Sequence, residues 1–139
     1  MRQTLFVGWC VLALACVAAA GPRQAKTATV VVQGPTVIAF FEPVTDAELD
    51  KDADLNETLS DFQLYARKAR EPLRKAGVEF HELYVNSFQL RIGQSLTSFR
   101  PTKATVGYYF IAPGKKPQIE YGVMTDLDLL DLANKYFKE

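Results

Sequence analysis

The run Val106-Gly-Tyr-Tyr-Phe-Ile-Ala112 constrains this chain more than any other stretch, because it is almost unbroken in its apolar and aromatic side chains. A strand with one face in water alternates apolar with polar residues; one covered on both faces reads as a continuous apolar run. The run therefore predicts a central strand. Pro113-Gly-Lys-Lys-Pro117 turns the chain, and Gln118-Ile-Glu-Tyr121 alternates, as a return strand near an edge would. Thr125-Asp-Leu-Asp128 then supplies a capping hydroxyl and early acids for a last helix. Leu129, Leu132 or Ala133, and Tyr136 mark its inner face, with Lys135 and Lys138 at its end.

A second apolar run, Thr36 to Phe41, has the same character. It follows a strand-like Thr27 to Val32 and the breaker Gln33-Gly-Pro35. Thr45-Asp-Ala-Glu48 has the spacing of a capping box and predicts a short helix. Leu59, Phe62, Ala66, Ala69 and Leu73 recur at helical steps and predict a longer one. Arg67, Lys68, Arg70, Arg74 and Lys75 complement its dipole, Pro72 should kink or restart its last turn, and Gly77 should end it. Val78 to Val85 reads as a half-buried strand. Ser87 to Arg100 reads as a small extra hairpin, in which Phe88, Leu90 and Ile92 alternate before Leu96 and Phe99.

Of 139 residues, 16 are basic and 16 acidic, so the formal net charge is zero and no global field draws the chain to nucleic acid. The first twenty residues follow another chemistry. Arg2 precedes an uncharged apolar stretch from Leu5 to Val17, and Ala18-Ala-Ala20 offers small residues for cleavage. This reads as a secretory signal peptide over residues 1–20, with a retained membrane segment as the alternative. Residues 21–27 form a flexible leader and 28–139 the domain. Both cysteines, Cys10 and Cys16, lie in the first segment, so cleavage after Ala20 would leave no thiol and no disulfide. Leu12-Ala-Leu-Ala-Cys16 loosely resembles a lipobox, and lipidation at Cys16 would anchor an otherwise soluble domain to a membrane.

The order strand, strand, helix, strand, antiparallel hairpin, helix resembles the thioredoxin-like fold over roughly residues 28 to 138. The pieces are Val37 to Phe41, Leu59 to Lys75, Val78 to Val85, Val106 to Ala112 with Gln118 to Tyr121, and Thr125-Asp-Leu-Asp-Leu-Leu130. The resemblance implies an α/β three-layer sandwich: a mixed central sheet, flanking helices, and a C-terminal β-hairpin plus helix. Redox members of that superfamily begin the first helix with Cys-x-x-Cys, where this chain reads Phe41-Glu-Pro-Val-Thr-Asp46. Their cis-proline falls at about Thr105-Val106, and neither residue is proline. The scaffold carries over and the catalysis does not: the resemblance implies a redox-inactive exported relative.

Three groups of residues are candidates for a site. Glu42, Pro43 and Thr105 sit where such an open sheet exposes its strand ends, a natural place to bind a protein or small-molecule partner. Asp50, Asp52, Asp54 and Asn56 at alternate positions, with Asp61 at the twelfth, have the early spacing of a calcium loop. Leu55 stands where the turn needs glycine, however, and a solvated acidic helix start is the competing reading. His81, the one histidine, lies in an alternating strand with no nucleophile to assemble a triad. Tyr108, Tyr109, Phe110 and Tyr121 read as core at strand spacing. Asn56-Glu-Thr58 is a glycosylation sequon, relevant only on a eukaryotic secretory route.

The expectation is a non-catalytic, exported binding or accessory module of the periplasm or cell envelope, needing no cofactor and touching a membrane only through a lipid anchor at Cys16 or an uncleaved signal segment. Two alternatives stand beside it. One is an enzyme using Glu42 or the Asp50–Asp61 segment with a divalent ion; the other is a lipid-anchored structural accessory protein.

Overall fold

The computed structural model describes residues 27–102 and 106–139. Residues 1–20, read from the sequence as a signal peptide, with Cys10 and Cys16 among them, and Thr105 lie outside the described residues. Ten elements follow in order: β1 (Ala28–Val31), β2 (Thr36–Phe41), α1 (Asp46–Leu49), α2 (Ala53–Lys75), β3 (Glu79–Tyr84), β4 (Phe88–Ile92), β5 (Ser95–Phe99), β6 (Val106–Ile111), β7 (Gln118–Tyr121) and α3 (Asp126–Lys138).

The two apolar runs are neighbours. β2 and β6 pair antiparallel with Phe41 opposite Val106, at the centre of a four-stranded sheet ordered β3-β2-β6-β7. Every residue of both strands is buried, which is the physical origin of their unbroken apolar reading. β3 runs parallel to β2, as a crossover through α2 requires, and β7 returns antiparallel at the other edge.

Side chains alternate between the two faces of this sheet. Val37, Ala39, Phe41, Tyr108 and Phe110 meet Phe62, Ala69 and Leu73 of α2 and Leu129, Ala133 and Tyr136 of α3. Leu59 packs against the same cluster from the edge. Pro72 is accommodated inside α2, three residues before its last residue Lys75, and Gly77 takes the chain out at φ 77°.

Among the described residues the opposite face carries no helix, and here the structure departs from a central sheet flanked by helices. Ile38, Phe40, Tyr109 and Ile111 are covered instead by a second sheet, ordered β1-β4-β5, through Val30, Phe88 and Leu90. β1 pairs parallel to β4, and β4 pairs antiparallel to β5. The reason is the period. Phe88, Leu90 and Ile92 recur every second residue, which presents one apolar face as a strand and would scatter it around a helix. The layers are therefore helices, four-stranded sheet, three-stranded sheet.

Phe40 shows how closely that second interface is filled. Its ring lies against Phe88, Phe99 and Tyr121 at centroid distances of 6.1, 5.9 and 6.3 Å. It also lies across Gly107, where a Cβ would stand 2.9 Å from the ring and 2.5 Å from the Glu120 carbonyl oxygen. Gly107 is the one residue of β6 that must lack a side chain.

Candidate functional site

The chain leaves β2 at the carboxyl ends of β2 and β3 and builds a cleft of about 530 Å³ there. It is lined by Pro43, Val44, Asp46, Leu49, Asn56, Leu59, Ser60, Gln63 and Tyr84. Local sequence fixes its walls. The Thr45 Oγ1 accepts from the Glu48 N–H at 3.3 Å while the Thr45 N–H donates to the Glu48 carboxylate at 2.7 Å, so the capping box is complete and α1 forms one wall. This reciprocal bond holds the Glu48 carboxyl below its ordinary range. Asp52 caps α2 by accepting from the Leu55 N–H at 2.9 Å, and the first turns of α2 bring Asn56, Ser60 and Gln63 to the other wall.

Tyr84, the last residue of β3, closes the cleft. Its ring stands edge-on to Phe62 at 6.1 Å. Its hydroxyl donates to the Glu82 carboxylate, which also accepts from Arg70 of α2 at 2.8 Å. The Arg70 guanidinium in turn lies over the Phe80 ring at 5.9 Å. Burial first, and then the Glu82 carboxylate, push the Tyr84 hydroxyl up to about 12, while the Gln63 side chain pulls the other way. Tyr84 is thus a neutral hydrogen-bonding group at any physiological pH, held in place by an ion pair behind it.

Charge is segregated along the molecule. Asp46, Glu48, Asp50, Asp52 and Asp54 gather around the helix starts at the cleft end. Arg74, Lys75, Lys135 and Lys138 lie in the last turns of α2 and α3. The β6–β7 turn joins them with Lys115 and Lys116, where the Lys116 carbonyl accepts from the Tyr136 hydroxyl at 2.6 Å. A chain of zero net charge thus places acids at its helix starts and bases at the ends of α2 and α3, where Glu71 pairs with Arg74 at 2.7 Å. Because Asp52 already occupies the start of α2, that terminus is closed to a phosphate or other anion.

The residues singled out from sequence divide. Pro43 lines the cleft; Glu42, half-buried directly after β2, does not. Asp50 sits at the end of α1, Asp52 is spent on its cap, Asp54 is exposed in the first turn of α2 and Asp61 lies two turns further. Among the described residues no three His, Cys, Asp or Glu side chains gather as metal ligands. His81 is a strand residue whose Nε2 lies 2.9 Å from the Glu79 carboxylate, away from the cleft. Tyr108 and Phe110 face the helices while Tyr109 and Tyr121 face the second sheet.

Sequence reasoning did not bring Asn56, Ser60, Gln63 and Tyr84 to this cleft, although it named Asn56 in the calcium-loop spacing and in the sequon. The first three directly follow the apolar Leu55, Leu59 and Phe62 on α2, beside the apolar stripe, and their residue types alone do not tell which polar flank meets the strand ends. Among the described residues no helix is long and apolar enough to cross a membrane. No family model matches the chain, and comparison with curated proteins and with solved structures finds no match either.

Proposed function

We propose that this chain is an exported, thioredoxin-like domain without redox chemistry that binds a partner or ligand in the cleft at the carboxyl ends of β2 and β3. The observation that carries the reading is the cleft itself. It stands beside the Phe41-to-Asp46 segment, where the fold-level resemblance places a functional loop, and its lining holds hydrogen-bonding groups but no thiol and no histidine. The connection order supports the scaffold: β2, α2 and a parallel β3, then an antiparallel β6–β7 hairpin and α3.

Apolar Val44, Leu49 and Leu59 with Asn56, Ser60, Gln63 and Tyr84 suit an uncharged or weakly basic ligand, because the surrounding acids repel an anion. Export rests on the first twenty residues.

Two measurements test the reading. A photo-crosslinking residue placed at Gln63, in the full chain expressed in its native host, should give a discrete adduct that the same residue at Lys138 does not. Identical patterns from both positions would remove the cleft as the binding site. Mass spectrometry of the mature chain should begin at Gly21; an acylated Cys16 would convert the proposal to a membrane-anchored module, and an intact leader would end the claim of cleavage.

A further inference from the structure

We infer that the free edge of β5 pairs with the β5 edge of a second copy of this chain, joining two three-stranded sheets into one across a two-fold axis at Thr97. Among the described residues four strands are edges: β3 and β7 of one sheet, β1 and β5 of the other. A free edge is a row of unpaired N–H and C=O groups, and chains guard it with charge, proline or brevity. β3 carries Glu79, His81 and Glu82, and β7 has four residues, includes Glu120 and follows Pro117. β1 also has four. β5 is Ser-Leu-Thr-Ser-Phe: five residues with no charge, no proline and no bulge.

The hydrogen-bonding pattern decides which groups are free. Gly93, at φ 58°, leads a two-residue turn that closes on the pair Ile92 and Ser95. Such turns make the closing pair a hydrogen-bonded one, and antiparallel pairs then alternate. Ser95, Thr97 and Phe99 therefore spend their backbone groups on β4, while those of Leu96 and Ser98 point out of the sheet. In a two-fold antiparallel pairing centred on Thr97, Leu96 falls opposite Ser98 of the second copy and the two residues exchange both bonds. The groups that are free are the groups this register needs.

Side chains and charges agree with the same register. Thr97 meets its own copy in the close, non-hydrogen-bonded position, a favourable cross-strand pair. Leu96, 52% exposed on the outer face, reaches its own copy on the diagonal across the axis. Arg100, the charge that follows the strand, falls opposite the uncharged Gln94 amide rather than a second cation. Gly93 and Pro101 bound the ladder at its two ends. The contact is small, so the dimer forms reversibly and with modest affinity.

Sedimentation and amide hydrogen exchange of the full chain test this together. The mean mass should rise from one chain toward two between about 10 μM and about 1 mM, with protection growing in parallel at the Leu96 and Ser98 amides. Ser98→Pro removes a donor that only the second copy uses, at an edge position where proline is tolerated, so it should weaken association tenfold or more and leave the melting temperature nearly unchanged. Leu96→Lys should act in the same direction by placing two cations across the axis. A single-chain mass throughout that range overturns the inference. So does protection at both amides that does not vary with concentration, because the chain's own residues would then cover the edge. A dimer that survives both substitutions overturns it as well.

Discussion

The two faces of the four-stranded sheet are built from the same alternating strands yet are covered by different means. On one face α2 and α3 lay down stripes spaced by three and four residues, and Phe62 sits at the middle against Phe41 and Tyr108, with ring centroids 5.3 and 6.1 Å away. On the other, a second sheet lays down residues spaced by two, and Phe88, Phe99 and Tyr109 form a ring cluster with centroids 4.6 to 5.9 Å apart. The difference lies in what the cover leaves free. A helix spends its backbone bonds within itself, so its ends and polar flank are available to shape a cleft. A sheet leaves an edge. The helical face thus carries the cleft, and the sheet-covered face carries a strand that is open among the described residues.

Truncating the two central rings should separate these roles. Phe62→Ala and Phe88→Ala each remove a fully buried ring, and each should cost about 3–5 kcal/mol in equilibrium unfolding. Only the first removes the neighbour against which Tyr84 is packed. The Tyr84 ring signals should therefore shift in the folded Phe62→Ala protein and stay in place in Phe88→Ala. Equal perturbation of Tyr84 by both would mean that the faces are not independent.

Gly107 tests the sheet-covered face alone. Its missing Cβ makes room for Phe40, and Gly107→Ala adds an atom where both the ring and the β7 backbone stand too close. The expected loss is about 1–3 kcal/mol, read as a lower midpoint in urea. A neutral substitution would show that β7 moves aside freely.

High pH should strain both faces through their tyrosines, with a smaller effect. Burial raises Tyr108 and Tyr136 on the helical side and Tyr109 on the sheet side, and Tyr84 is raised to about 12. In the unfolded chain these hydroxyls ionise near about 10, so above that pH the unfolded state loses protons first. Their contribution is fully present below about 10 and is lost as pH climbs toward the raised values. Stability measured by urea unfolding should be flat below that window and fall through it. Tyr84→Phe should flatten the upper part of the fall; an unchanged profile would show that Tyr84 does not titrate late.

How much of this was legible follows from where the information lies. The central strands were readable because burial on both faces leaves them almost without polar residues, Thr36 excepted, and the helical stripe because Phe62, Ala66, Ala69 and Leu73 repeat faithfully. The hairpin was readable from Phe88, Leu90 and Ile92. The second sheet was not. It needs β1 to lie beside β4, sixty residues later, and the parallel register of Ala28 with Phe88 leaves no mark in either segment. The cleft was half legible. Pro43 could be placed from the chain order, whereas Tyr84 reads as an ordinary strand end until Glu82, Arg70 and Phe62 are seen around it.

The smallest effect bears on whether the cleft wall is local or borrowed. α1 is four residues long and buries none of them, so its stability comes from the Thr45–Glu48 box rather than from the core. Thr45→Ala removes the side-chain acceptor for the Glu48 N–H and should cost about 1 kcal/mol. That loss need not appear as global unfolding, because an element with no buried residue can open alone. The expected signature is faster hydrogen exchange at Glu48 to Asp50 with an unchanged melting temperature, alongside normal protection in β4. If the melting temperature falls instead by several degrees, α1 is coupled to the helical core, and the cleft wall belongs to that face rather than resting on it.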